Sequence, residues 1–467
     1  MESLKDKIDF TTKYLVVELF EKIIRIRKFI KTAYEEDKRE SDRELYKLYN
    51  QALSFISSEI SDFCKVIVKN SDEGEIFDNM LFIDEKYKSV IKIHEDLKNI
   101  SSIKILPEIK SFLSELDSEE EKLNKFNLIL TDNYSFKERN LGKKILKDLN
   151  DKYQKTPNIN NTHTFILPKI EFSNPLNWSI LVHEYGHLVL ENESDSFISK
   201  FESQGDKLNS SDKQLVRQWV EELYCDVFAA KHLGPAYLVS FLSINLLNSF
   251  DCSHFSNSHP SAYLRAENIK SFLRKYDADF SSSSTITNYG KLLNEAMLNI
   301  GKTCNKILNQ LPSSQPKINE TNILRTFREY ISEKNLMNLN TSYSNENIKS
   351  IELLLEKLKK GLPIGTIRKP LEAKLIKDLD KDSDSISLDD INNWKNASIE
   401  RPTTHWEILN TGWIYKIEHI KTSNLFFSDF DSNIQEKLDE YAEHIDKLDD
   451  ILLHSISSSQ IIKSIEK

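Results

Sequence analysis

The chain reads as mainly α (α+β): helices dominate, and one small sheet with an edge strand sits beside the central helices. Three observations predict this. Apolar residues recur at helical spacing over long stretches of both ends of the chain. Only 10 Gly and 11 Pro occur in 467 residues, which leaves few tight turns. One short β-like run, Thr164-Phe165-Ile166-Leu167-Pro168, interrupts the helical pattern, and its terminal proline suits an edge strand.

Composition narrows the class of protein. With 39% hydrophobic and 29% charged residues the chain resembles an ordinary soluble protein. A net charge of −10, with no dense basic cluster, argues against nucleic acid as the main partner. Cys64, Cys225, Cys252 and Cys304 are far apart and form no C-x-x-C pair, so reduced thiols in a reducing compartment are expected. The first ten residues carry no apolar targeting core, and Tyr237–Phe250 is too short and too polar to span a bilayer. A cytoplasmic protein without a membrane span is the expectation.

Residues 1–150 form the first region, a helical bundle. Ile8, Leu15, Val16, Leu19, Phe20, Ile23, Ile24, Ile26 and Ile30 mark a first helix. The same spacing continues from Leu45 to Val68, Phe82 to Leu97, Ile103 to Leu130 and Phe136 to Leu149, with polar breaks between. The charged residues on these helices are read as solvated faces. No catalytic constellation appears here, so the region is expected to be structural or to bind a protein partner.

Residues 156–280 carry the chemistry. An extended segment at Thr164–Pro168, if it is an edge, can pair with a peptide by strand addition. Asn174-Pro175 then starts a helix, with proline where a first turn tolerates it. That helix contains His183-Glu184-Tyr185-Gly186-His187 among apolar neighbours. Residues four apart share a face, so both imidazoles project into one space that a single divalent ion can bridge. Glu184 follows the first imidazole and can take a proton from metal-bound water. Two imidazoles and a carboxylate are costly to bury unless something satisfies them. Gly186 costs about 1 kcal/mol in mid-helix, which suggests that another backbone approaches closely there.

A second apolar helix, Gln218 to Ala230, carries Glu222 and Asp226 on one face. Two histidines from one helix and Glu222 from the other make a three-ligand zinc site with an open position, the mark of a catalytic site. Asp226 then serves as an acceptor that fixes the tautomer of a ligand imidazole. Glu221 is the competing third ligand. A third segment, Ser258-His259-Pro260-Ser261-Ala262-Tyr263-Leu264-Arg265, follows, where His259 has the alternative reading of a helix cap.

Taken together, His183-Glu184-x-x-His187, Glu222-x-x-x-Asp226 and His259-Pro260-x-x-x-x-Arg265 resemble the gluzincin metallopeptidases. Within them the chain is most similar to the family of the CaaX prenyl proteases and the HtpX-type heat-shock proteases. The resemblance implies a zincin-like core with one zinc ion per chain held by His183, His187 and Glu222, with Glu184 as general base and Asp226 orienting a ligand. It places His259 and Arg265 at the active site, steadying the oxyanion or holding substrate backbone, with Tyr224 and Tyr263 as alternative donors. Without spanning helices, it extends to hydrolysis of a protein or peptide substrate and not to prenylated substrates. The competing expectation is a non-catalytic or conditionally activated metal-binding scaffold whose helices bind a partner.

Residues 281–467 form a C-terminal, mostly helical region expected to pack on the core. Helical patterns run over Tyr289–Leu311, Ile323–Ile331 and Ile348–Leu358, and Gly361-Leu362-Pro363-Ile364-Gly365 marks a loop. Asp378–Asp390 fails as an EF-hand loop, having serine where the invariant glycine belongs and no glutamate at its end. Thr404–Tyr415 is aromatic-rich and expected to pack inward. A long helix with Leu438, Tyr441, Ile445, Leu448, Leu452 and Ile456 closes the chain.

Overall fold

The computed structural model describes residues 10–36, 82–91, 126–131, 137–140, 163–189, 210–245, 259–274, 345–368, 400–422 and 434–466, with shorter pieces within 50–63, 108–113, 199–202 and 323–329. The fold is mainly helical. Its elements are α1 (Phe10–Glu36), β1 (Phe126–Thr131), β2 (Lys137–Asn140), β3 (His163–Pro168), α2 (Ser179–Val189), α3 (Ser210–Leu233), α4 (Pro235–Asn245), α5 (Ala262–Arg274), α6 (Asn345–Lys359), β4 (Thr366–Arg368), β5 (Glu400–Pro402), α7 (His405–Thr422) and α8 (Ile434–Glu466).

The sheet corrects two expectations. The sequence pattern predicts helix through Leu130 and again from Phe136, yet β1 and β2 are strands. Short apolar runs such as Phe126–Thr131 satisfy either period, and pairing with a distant strand decides between them. Thr164–Pro168 is not an edge: β3 lies between β1, parallel to it, and β2, antiparallel to it. Its proline is tolerated because the register with β2 stops at Ile166, so among the described residues β1 alone pairs beside Pro168. Strand addition to β3 is therefore closed.

Helix α4 stands at the centre. Every residue from Pro235 to Ser243 is buried, as expected for a helix that is apolar all round. It touches α2, α3, α5 and α7. Gly234 makes the corner possible: with φ 62° it ends α3 in the left-handed conformation, and Pro235 begins the next helix. Asn410 on α7 staples this corner, donating to the Leu233 carbonyl at 2.8 Å and accepting from the Ala236 amide at 2.9 Å. Trp406 and Trp413 on α7 are buried, in line with inward packing of that aromatic segment. Tyr441, Ile445, Leu448, Leu452 and Ile456 of α8 are buried as well.

The charged face of α1 is not solvated. Glu18, Glu21, Lys22 and Arg25 are all buried. Lys416 on α7 meets Glu18 at 2.6 Å and Glu21 at 2.5 Å, and Arg25 binds Glu21 at 2.8 Å and Asp449 on α8 at 2.6 Å. Lys22 pairs with Glu171, just ahead of α2. Burying these ions is tolerable because each has a close opposite charge. Helical periodicity shows which face is polar but not what covers it. Among the described residues no helix is long and apolar enough to cross a membrane. Tyr289–Leu311, Asp378–Asp390, Cys64, Cys252 and Cys304 lie outside the described residues; Cys225 is a buried free thiol.

Candidate metal centre

The chain reaches the site through a built entrance to α2. Pro175 opens a 3-10 turn, Pro175–Trp178, and the α-helix proper begins at Ser179, a refinement of the start expected at Asn174-Pro175. Glu171 organises the turn. It accepts from Asn174 at 2.7 Å and Asn177 at 2.8 Å, and its backbone carbonyl accepts from the Trp178 indole at 3.2 Å. Ile180, Leu181, Val182 and Tyr185 then anchor α2 in the core, leaving His183 and His187 on the face toward α3.

Gly186 has the role its position suggested. A Cβ there would lie 3.1 Å from the Cα of Cys225 and 3.2 Å from its Cβ and Sγ. The missing side chain lets α2 and α3 approach closely, which brings the histidines of one helix to the acids of the other.

His183, His187 and Glu222 offer ligand atoms that all lie within 4.8 Å of one another, and the group could hold a metal ion. Glu222 reaches His183 Nε2 at 3.3 Å through Oε2 and His187 Nε2 at 3.5 Å through Oε1. Two ligands roughly 2.1 Å from one ion at a tetrahedral angle stand about 3.4 Å apart, so these spacings fit the edges of such a site. Glu222 Oε2 is buried and accepts no well-formed hydrogen bond, its charge being met by the nearby Arg265 guanidinium. Glu221, the competitor, is half-exposed and outside the cluster.

Around this group the remaining residues take distinct places. Asp226 is fully buried and sits behind His183, with Oδ1 3.1 Å from Nδ1. Arg265 forks onto it, Nε to Oδ2 at 2.9 Å and NH2 to Oδ1 at 2.7 Å, and its NH1 lies 3.1 Å from Glu222 Oε2. The guanidinium is thus engaged with the two acids. His259 stands at the rim, its side chain 54% exposed and Nε2 3.4 Å from Glu222 Oε1. Its cap reading fails: Ser261 Oγ accepts from the Leu264 amide and caps α5. Glu184 is half-buried, next to His183 in the chain.

Electrostatics follow from the packing. Burial alone would push Glu222 up, but Arg265 and then the imidazoles outweigh it and hold the carboxyl down at about 2. Asp226 is lowered further, burial again being overcome by Arg265 and His183. Burial would lower His183, yet its hydrogen bonds with Asp226 and Glu222 raise it to about 9. His187 falls to about 4 through burial and the charge of His183.

One participant escapes sequence reasoning. Tyr237 on α4 places its hydroxyl 2.6 Å from Asp226 Oδ1 and 3.2 Å from His183 Nδ1. The available signal was a tyrosine inside an apolar run after Gly234-Pro235, since a buried phenol needs a polar partner. Comparison with family models, curated proteins and solved structures finds no match to this chain.

Proposed function

We propose that this chain is a zinc-dependent endopeptidase. One observation carries the reading: two imidazoles from α2 and one carboxylate from α3 converge with spacings that suit a three-ligand ion. His183, His187 and Glu222 would hold the zinc. When bound, it supplies a Lewis acid for the scissile carbonyl and lowers the pKa of water. Glu184 takes the proton from the attacking water and passes it to the leaving amine. His259, exposed at the rim, would donate to the developing oxyanion. Arg265 acts differently from an oxyanion donor, because its nitrogens already hold Asp226 and Glu222 in position.

A metal-binding scaffold is the rival, favoured by how completely Arg265 ties the acids together. One experiment separates them. The purified protein is analysed for zinc and incubated with a quenched fluorescent peptide library, as wild type, as Glu184→Gln and after chelation. The expected outcome is cleavage by wild type alone, zinc retained in Glu184→Gln, and a chelated chain that stays folded but inactive. Zinc lost together with activity in Glu184→Gln, or no cleavage by zinc-loaded wild type, overturns the peptidase reading; unfolding on chelation supports the scaffold.

A further inference from the structure

We propose that Tyr237 is a positioning residue of the metal centre, holding Asp226 and His183 so that His183 presents Nε2 to the ion. The inference rests on the metal-site reading above but adds a helix, α4, that contributes no ligand.

The argument begins with hydrogen-bonding capacity. A phenol has one hydrogen to donate and lone pairs to accept with. Both oxygens of Asp226 already receive a guanidinium, so this carboxylate acts as an acceptor. The Tyr237 hydrogen therefore points at Asp226 Oδ1, 2.6 Å away. That leaves the phenol oxygen's lone pairs toward His183 Nδ1 at 3.2 Å. Nδ1 faces the phenol oxygen and, at 3.1 Å, Asp226 Oδ1. Arg265 NH2 is farther off, 3.5 Å from Nδ1 and 3.4 Å from Nε2, and already donates to Asp226 Oδ1 at 2.7 Å, so the two nearer acceptors favour a hydrogen on Nδ1. The neutral imidazole then carries its lone pair on Nε2, the atom beside Glu222 Oε2.

The ring is placed as firmly as the hydroxyl. Tyr237 is fully buried. It lies nearly parallel to the His183 ring, at 7° with centroids 6.3 Å apart. Its position depends on the Gly234 corner, where α4 leaves the end of α3, and on the Asn410 staple that holds that corner. The tautomer of a ligand is thus set by a chain of contacts running out to α7.

Tyr237→Phe removes the hydroxyl and keeps the ring. Zinc affinity is measured by chelator competition on the full chain, with cobalt absorbance as the second readout. The expected result is one zinc per wild-type chain, affinity weaker by roughly 10–100-fold in Tyr237→Phe, a changed cobalt spectrum, and unaltered circular dichroism. Wild-type affinity in the variant, or a loss of thermal stability equal with and without zinc, overturns the role of Tyr237 and leaves the metal site standing. A wild-type chain that binds no zinc overturns the metal site itself. Should the variant not fold, nitrogen-15 imidazole spectra of the zinc-loaded wild type decide. A His183 ring protonated at Nδ1 with a slowly exchanging Tyr237 hydroxyl beside it supports the proposal, and a ring metallated at Nδ1 or a freely exchanging hydroxyl refutes it.

Discussion

Gly186 shows how one missing side chain governs the site. Alanine at this position would gain about 1 kcal/mol of helix propensity. Its methyl, however, would press on the Cα of Cys225 at 3.1 Å, a backbone atom that cannot rotate aside. Overpacking of this kind typically costs roughly 1–3 kcal/mol. Gly186→Ala is therefore expected to lower the melting temperature and weaken zinc binding together, because α2 must move off α3 and take His183 and His187 with it. Calorimetry and a zinc titration check this; a more stable variant with intact affinity would show that the helices yield freely. At the same scale, Glu221 and Glu222 are adjacent in the chain but differ in fate. Their sequence neighbourhood could only rank them, whereas the packing of α2 on α3 selects Glu222.

Between elements, the pair Lys22–Glu171 ties α1 to the turn that launches α2. Burial pushes the Glu171 carboxyl up, but Lys22 and then Arg25 outweigh it and bring it down to about 2, below the ordinary 4.5. A carboxyl lowered on folding contributes stability that is fully present above its unfolded pKa and is lost as pH falls through the folded one. Glu171 thus favours the native state at neutral pH, and that contribution drains away between about pH 4.5 and 2. Lys22→Met leaves the carboxylate buried without its main cation and should cost on the order of 3–5 kcal/mol at pH 7. The deficit should shrink as Glu171 protonates in acid. Urea unfolding of both proteins at pH 7 and pH 3 tests this; an equal deficit at both values would mean that the ion pair contributes nothing specific. The charged stripe of α1 has the local pattern of a solvated face and is nonetheless buried. Its partners, Glu171, Lys416 and Asp449, are distant in sequence, and nothing local announces that they cover it.

The whole molecule is held by a core that runs from α1 through β3, α2, α3 and α4 to α7 and α8. Removal of residues 10–36 would expose that apolar surface and strand Glu171, Lys416 and Asp449 without their opposite charges. The expected product is a chain with no near-ultraviolet dichroism and no zinc binding. A folded, more active truncated protein would instead make α1 an inhibitory element. Residue identity and local spacing determined the mainly helical class, the two motif-bearing helices and the shared faces of His183 with His187 and of Glu222 with Asp226, because helical period places residues four apart on one face whatever surrounds them. Only tertiary structure decided that β3 is central, that the charges of α1 are buried, that Arg265 grips the acids and that Tyr237 stands behind His183. Each of those depends on groups far apart in the chain, and such meetings are set by packing, which no local period encodes.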